Sequence, residues 1–236
     1  MHLAITSTVK GAPHSVARCV RSTQDQAHRD FTHTLVCIDE QSRGFARRAA
    51  GDDERYRIWL PDESNGAISS NLQRMWKGLP DETPIVWLDG DDWLAVPHAL
   101  GIVNAAHERG ALVTYGSFIL PDGSMGFARP AGPRPRREPW GASHLKTFRA
   151  GLVNRMRAED WLDEDGSPAR HCPDLRVMFA CLEMAPKRSL FIQNMLVVYN
   201  VETSFWANAS KEERSKEQQE EKRIREFEAY EALSLA

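Results

Sequence analysis

Ile85-Val86-Trp87-Leu88-Asp89-Gly90-Asp91-Asp92-Trp93-Leu94 runs four apolar residues directly into an acidic cluster. An apolar run without polar alternation predicts a strand buried on both faces, as in a sheet with helices on each side. Side chains of an extended segment alternate, so Asp89 and Asp91 are expected to point the same way, with Gly90 leaving room between them. Two carboxylates converging at a strand's C-terminal end suit a hard divalent cation, Mg²⁺ or Mn²⁺, completed by water and phosphate oxygens. That end is also where open α/β sheets bind ligands. The plainer reading is a solvated acidic turn in which Asp92 is the N-cap of a following helix.

Upstream, Leu3 to Thr8 is β-prone and is broken by Lys10-Gly11-Ala12-Pro13. A helix is predicted from about His14 to Gln26, with Val16, Cys19 and Val20 on one face. Thr34 to Ile38 and Tyr56 to Leu60 read as strands, and Ile68, Leu72, Met75 and Trp76 mark a helix. Downstream come a helix from about Pro97 to Glu108 and a strand from Leu112 to Tyr115. This alternation predicts an α/β fold with a Rossmann-like, mostly parallel sheet flanked by helices.

Residues 121–141 carry Pro121, Pro130, Pro133, Pro135 and Pro139 and are expected to be loop. Leu145, Phe148, Leu152 and Met156 predict a helix from Leu145 to Arg157, opened by His144. A second helix is expected from Asp174 to about Pro186, then a strand from Leu190 to Tyr199. From Ser210 the chain is rich in Lys and Glu, with Ile224, Phe227, Tyr230 and Leu233 at intervals of three. That pattern predicts a charged C-terminal helix whose apolar stripe docks on the domain or on a second subunit of a homo-oligomer.

The bulk properties exclude several classes. The chain has 236 residues, 42% hydrophobic and 27% charged, as expected for one globular domain. A formal charge of -3 gives no global drive toward nucleic acid. No apolar run approaches the roughly 20 residues of a membrane span. Met1 to Thr6 does not read as a signal peptide, so a cytoplasmic location is expected. Cys19, Cys37, Cys172 and Cys181 form no CxxC pair, which points away from a zinc site or a disulfide framework. Neither GxxxxGK[ST] nor GxGxxG occurs, which argues against nucleotide hydrolases and dehydrogenases.

The ordered motifs over about residues 3–120 resemble the family 2 glycosyltransferases. The matching stretches are Ile5 to Ala12, Arg18-Cys19-Val20-Arg21-Ser22, Cys37-Ile38-Asp39-Glu40, Ser64-Asn65-Gly66 through Asn71, and Trp87 through Leu94. The resemblance implies a GT-A fold, with a nucleotide-sugar (donor) half at 1–120, an acceptor and catalytic half at 121–205, and the charged helix at 206–236. It implies that Thr6 to Thr8 lie along the nucleoside of a donor, most simply a UDP-sugar, and that Asp39 accepts a hydrogen bond from the base. Asn71, Asp89 (to the ribose or the metal's water shell), Gly90 and Arg137 are further expected donor contacts, Arg137 from an arginine-bearing loop that either closes over the diphosphate, grips an anionic acceptor or is simply solvated. Asp91 is expected to ligate the metal, with Asp89 and His144 beside it.

An inverting transfer needs a carboxylate to take the proton of the acceptor hydroxyl. The resemblance places it at the start of a late helix, where Pro173-Asp174-Leu175 stands, without the Glu that often precedes the Asp. Glu183 is the rival. At ~100° per residue, nine residues of helix put the two on opposite sides. Glu183 otherwise reads as the partner of a buried Arg or a backbone amide.

His144 to Arg149, Leu182 to Ala185 and Val197 to Asn200 resemble a phage and viral subset of the family. That similarity raises hydroxymethylated pyrimidine in DNA as an acceptor besides a glycan, with Arg134, Arg136, Arg137, Arg149, Arg155 and Arg157 offering a phosphate-binding surface. The competing readings are a sugar nucleotidyltransferase, for which Thr8-Val9-Lys10-Gly11 is a poor loop, and a non-catalytic binding module built on the C-terminal helix.

Overall fold

The computed structural model describes residues 1–10, 12–61, 68–203 and 208–234. The Ser64-Asn65-Gly66 motif lies outside them. The elements in chain order are β1 (Leu3–Val9), α1 (Pro13–Gln24), β2 (Phe31–Cys37), α2 (Glu40–Ala50), β3 (Tyr56–Trp59) and α3 (Ile68–Trp76). They continue with β4 (Pro84–Trp87), β5 (Trp93–Leu94), α4 (Ala99–Glu108), β6 (Val113–Ile119), β7 (Ser143–Arg149), α5 (Ala150–Asn154), α6 (Pro173–Met184), β8 (Ser189–Val198) and α7 (Lys211–Glu226).

The eight strands form one sheet in the order β3-β2-β1-β4-β7-β6-β8-β5. The β3-β2-β1-β4 half is parallel, built from successive crossovers as the sequence predicts. β7 is antiparallel to both its neighbours, β6 pairs β8 in parallel, and β5 closes the edge antiparallel to β8. Both faces are covered. In β4 and the residue after it, Ile85 and Trp87 enter the core beneath α3, α5 and α6, while Val86 and Leu88 enter the core beneath α1 and α4. The uninterrupted apolar run of β4 follows from that two-sided burial.

Three expectations are corrected. The segment Leu145–Arg157 is not one helix: residues 143–149 are the strand β7, and only Ala150–Asn154 is helical. In a strand, Leu145 and Phe148 are three apart and face opposite ways, and they pack into the two different cores. Helical spacing and two-sided strand burial produce the same apolar positions here, and pairing with β4 and β6 decides for the strand. Second, Asp92 caps no helix, because it leads into β5. Third, α7 ends at Glu226, and Phe227, Tyr230 and Leu233 belong to a non-helical tail.

That tail and α7 dock on the chain's own domain. Ile224 is fully buried against Cys172, Leu175 and Phe179, and Leu233 N–H donates to the Met184 carbonyl at 2.8 Å. Among the described residues, no helix is long and apolar enough to cross a membrane.

Candidate metal and donor site

The register between β4 and β7 builds the centre of the site. Trp87 lies opposite Lys146 in this antiparallel pair, so continuing two residues brings His144 opposite Asp89. His144 and Lys146, two apart, share a face. His144 Nδ1 stands 3.9 Å from Asp89 Oδ2 and 3.7 Å from Asp92 Oδ2. Lys146 Nζ stands 3.9 Å from the same Asp89 oxygen and 3.9 Å from Asp174 Oδ2. Gly90 is required at the turn by close approach: a Cβ there would meet the Thr8 carbonyl oxygen at 2.3 Å.

Asp92 is fixed from the far end of the sheet. Pairing of Trp93 with Val198 carries Asn200 to it, and Asn200 N–H donates to Asp92 Oδ1 at 2.8 Å. The other oxygen, Oδ2, is buried without a hydrogen-bond partner, and so is His144 Nδ1. Burial, then the neighbouring Asp89 charge, pushes the Asp92 carboxyl well above the usual carboxylate range. Burial, then the Lys146 cation, lowers His144 to about 3, which leaves a neutral imidazole. Its ring packs against both Phe118 and Tyr199, with centroids at 5.6 and 5.3 Å.

Asp89, Asp92 and His144 thus offer three donors within 4.8 Å of one another. An ion at about 2.1 Å from each donor needs donors roughly 3 to 4.2 Å apart, and the two His144 separations fall in that range. A divalent cation also answers the two orphaned atoms and the crowding of negative charge, so the residues present fit one. Asp91, expected as the principal ligand, is outside this trio. Its carboxyl is pushed up mainly by burial, against a hydrogen bond from Thr203.

The remaining expected residues divide. Thr8 Oγ1 and Asn71 Oδ1 are buried without hydrogen-bond partners, as is Trp87 Nε1. Thr6 Oγ1 accepts from the Trp76 indole at 3.0 Å and is committed to packing. Asp39 is the N-cap of α2, in a capping box with Ser42, whose N–H donates to Asp39 Oδ1 at 2.6 Å. Arg137 is exposed in a short 3-10 turn, Pro135–Arg137, beside Arg136.

Asp174 lies in the first turn of α6 behind Pro173, and Cys172, not Asp174, is the N-cap. The Asp174 side chain is 38% exposed, which leaves it open to solvent beside Lys146. Glu183 is only 6% exposed and is held by Arg136 Nε at 2.9 Å and by the Tyr230 N–H at 3.1 Å. It is a structural partner of a buried arginine and a backbone amide.

The arginines offered as a DNA-phosphate surface are largely engaged elsewhere. Arg136 pairs with Glu183, Arg149 donates to the Glu82 and His107 carbonyls, Arg155 meets Asp81, and Arg157 binds Glu159 and tail carbonyls. The loop at 129–140 is tied down as well: Arg225 donates to the Arg136 and Glu138 carbonyls, and Trp140 packs edge-on against Phe179. A cavity of about 490 Å³ opens at the other end of β4, among Asp81, Arg149, Met184 and Leu233. Among the described residues it gathers no set of metal-ligating groups, whereas the Asp89 cluster does.

Lys146 and Asn200 are the two groups that sequence reasoning did not assign. Alternation read from His144 as a strand would have found the first, and the second depends on a long-range strand pairing.

No protein-family model matches the chain, and no curated protein sequence matches it. Solved structures do match. TarS 1–349 from S. aureus aligns over 96% of this chain and 72% of that one, at TM-score 0.62 and 16% identity. TarS 1–349 in complex with UDP-GlcNAc aligns over 85% of this chain and 58% of that one, at TM-score 0.61 and 13% identity. The mannosyltransferase PcManGT from Pyrobaculum calidifontis, in complex with GDP-Man and Mn²⁺, aligns over 97% and 65%, at TM-score 0.62 and 13% identity. The chain therefore covers less than two thirds of the matched chain in two of these three structures. The likeness establishes the GT-A fold.

Proposed function

We propose that the chain is a glycosyltransferase that moves a sugar from a nucleotide-sugar donor to an acceptor hydroxyl with a divalent cation. The observation that carries this reading is the meeting of Asp89, Asp92 and His144 at the C-terminal end of β4, with Lys146 and Asp174 beside them. Neighbours of the same fold are complexed with UDP-GlcNAc or with GDP-Man and Mn²⁺, which supports a nucleotide-sugar donor and a divalent ion here.

Asp89, Asp92 and His144 would hold the cation, with Asp91 adjacent. Two carboxylates suit Mg²⁺ or Mn²⁺, and the imidazole favours Mn²⁺ of the two. When bound, the ion offsets the negative charge that grows on the departing diphosphate. Thr8 and Asn71, with buried unpaired oxygens, are the donor-contacting groups at the ends of β1 and in α3. Asp39, which also caps α2, is assigned to the nucleoside and Arg137 to the diphosphate.

Asp174 serves as the base. Its carboxylate takes the proton of the acceptor hydroxyl while that oxygen bonds to the anomeric carbon. The bond from that carbon to the diphosphate oxygen breaks, and the electron pair leaves with the nucleoside diphosphate. Attack from the face opposite the leaving group inverts the anomeric centre. A glycan acceptor is favoured over DNA by the net charge of -3 and by the engagement of Arg136, Arg149, Arg155 and Arg157 within the fold.

The test is a screen of UDP- and GDP-sugars with Mn²⁺, scored by release of nucleoside diphosphate. Turnover with at least one donor, abolished by EDTA, is expected. Pyrophosphate release from a nucleoside triphosphate and sugar phosphate would indicate a nucleotidyltransferase instead.

A further inference from the structure

The Lys146 side chain is 5% exposed, yet its ammonium is not closed into an ion pair at hydrogen-bond distance. It is 3.9 Å from Asp89 Oδ2 and 3.9 Å from Asp174 Oδ2, both beyond hydrogen-bond distance. Its third neighbour is the face of Trp87 directly across the strand pair, 4.8 Å from Nζ to the ring centroid. A face-on ring and two distant carboxylates hold the charge in place without consuming its three N–H donors. Burying such a cation is costly unless hydrogen-bonded oxygens complete its surroundings.

The position of Asp89 indicates which oxygens these are. The same Asp89 Oδ2 faces both Lys146 and His144. Oxygens on one Mg²⁺ or Mn²⁺ at about 2.1 Å lie roughly 3 Å from each other. A phosphate oxygen bound next to Asp89 on such an ion, on the side that Lys146 occupies, would come within reach of the ammonium.

We infer that Lys146 is a second cationic contact for the diphosphate, donating to an oxygen of the nucleoside diphosphate as the metal holds the others. This assignment rests on the nucleotide-sugar reading of the site. Asp174 Oδ2 stands at the same 3.9 Å from Nζ as Asp89 Oδ2, so the ammonium is shared between the metal-side carboxylate and the proposed base. The contact would go to the β-phosphate, which a nucleoside monophosphate lacks.

Titration calorimetry with UDP, GDP, UMP and GMP, in Mn²⁺, on wild type, Lys146→Met and Lys146→Arg tests it. Met keeps a long apolar stem against Trp87 and removes the charge. The expected result is a loss of ten-fold or more in diphosphate affinity for Lys146→Met, monophosphate affinity within two-fold of wild type, and substantial recovery in Lys146→Arg. Unchanged diphosphate affinity in Lys146→Met, or an equal loss for mono- and diphosphates, overturns the inference while leaving the wider reading intact. If Lys146→Met does not fold, Lys146→Gln is read by the same criteria. Failure of wild type to bind any of the four nucleotides overturns the nucleotide-sugar reading itself.

Discussion

Asp92 and His144 face each other across 3.7 Å inside the protein, with Asp92 Oδ2 and His144 Nδ1 both lacking a hydrogen-bond partner. A buried carboxylate oxygen and a buried neutral imidazole nitrogen left unpaired cost stability unless something completes them. A cation shared with Asp89 would do so. Mn²⁺ is therefore expected to raise the melting temperature of wild type, by about 2.7 kcal/mol of stabilisation at a hundred-fold excess over Kd. Asp92→Asn and His144→Ala should each abolish most of that shift in thermal denaturation with and without Mn²⁺. A full Mn²⁺-dependent shift in both variants would remove these residues from the metal site.

Asp174 and Glu183, carboxylates on the same helix, are expected to separate cleanly. Asp174→Asn should keep donor binding and lose about 10²- to 10⁴-fold in transfer rate, the range for a general base. Glu183→Ala should instead destabilise the fold by about 3–5 kcal/mol, since it leaves Arg136 buried without its partner. Urea unfolding and single-donor kinetics on both variants check this. Normal turnover in Asp174→Asn would refute the base assignment.

The C-terminal segment is part of the domain. Ile224→Ala is expected to cost about 2–4 kcal/mol by opening a cavity between α6 and α7. Size-exclusion chromatography of the variant should show loosened or unfolded monomer and no simple dissociation of a dimer. A stable variant that merely changes from dimer to monomer would restore the oligomer reading of α7.

Buried His33 gives a pH signature. Its ring nitrogens meet Ser7 Oγ at 2.9 Å and Thr23 Oγ1 at 3.2 Å, and burial lowers its pKa to about 3. Below an unfolded value of about 6.5, the unfolded chain binds a proton that the folded chain refuses. Stability is therefore fully present above that pH and declines as pH falls toward 3. Between pH 6.5 and 5 the loss from this group is about 1.6 kcal/mol. His33→Gln should be less stable than wild type at pH 7 but lose correspondingly less on going to pH 5, as read by urea unfolding at the two values.

The part of the fold legible in the sequence is the part whose apolar pattern admits one explanation. β1 is a short β-prone run, β4 is a continuous apolar run, and the apolar residues of α3 recur at helical spacing. α2 is silent in the sequence because only Ser42, Ala46 and Ala50 are buried on it, small residues that leave no hydrophobic signal between its arginines. β7 mimics a helix because Leu145, Phe148, Leu152 and Met156 fit helical spacing, while the strand is buried on both faces and shows no alternation. The site follows the same division. The acidic cluster after β4 stands out locally, and so does Asp174 at the start of α6. The grouping of Asp92 with His144, and the approach of Lys146 and Asn200, arise from strand pairings across more than 50 residues that no local pattern encodes.

The most direct test is calorimetric titration of wild type with UDP and GDP, first in Mn²⁺ and then in EDTA. Tight binding of at least one of them in Mn²⁺, weakened ten-fold or more by EDTA and lost in Asp89→Asn, is the predicted result. No binding in Mn²⁺, or binding of equal strength in EDTA, would contradict a metal-bridged diphosphate at Asp89, Asp92 and His144.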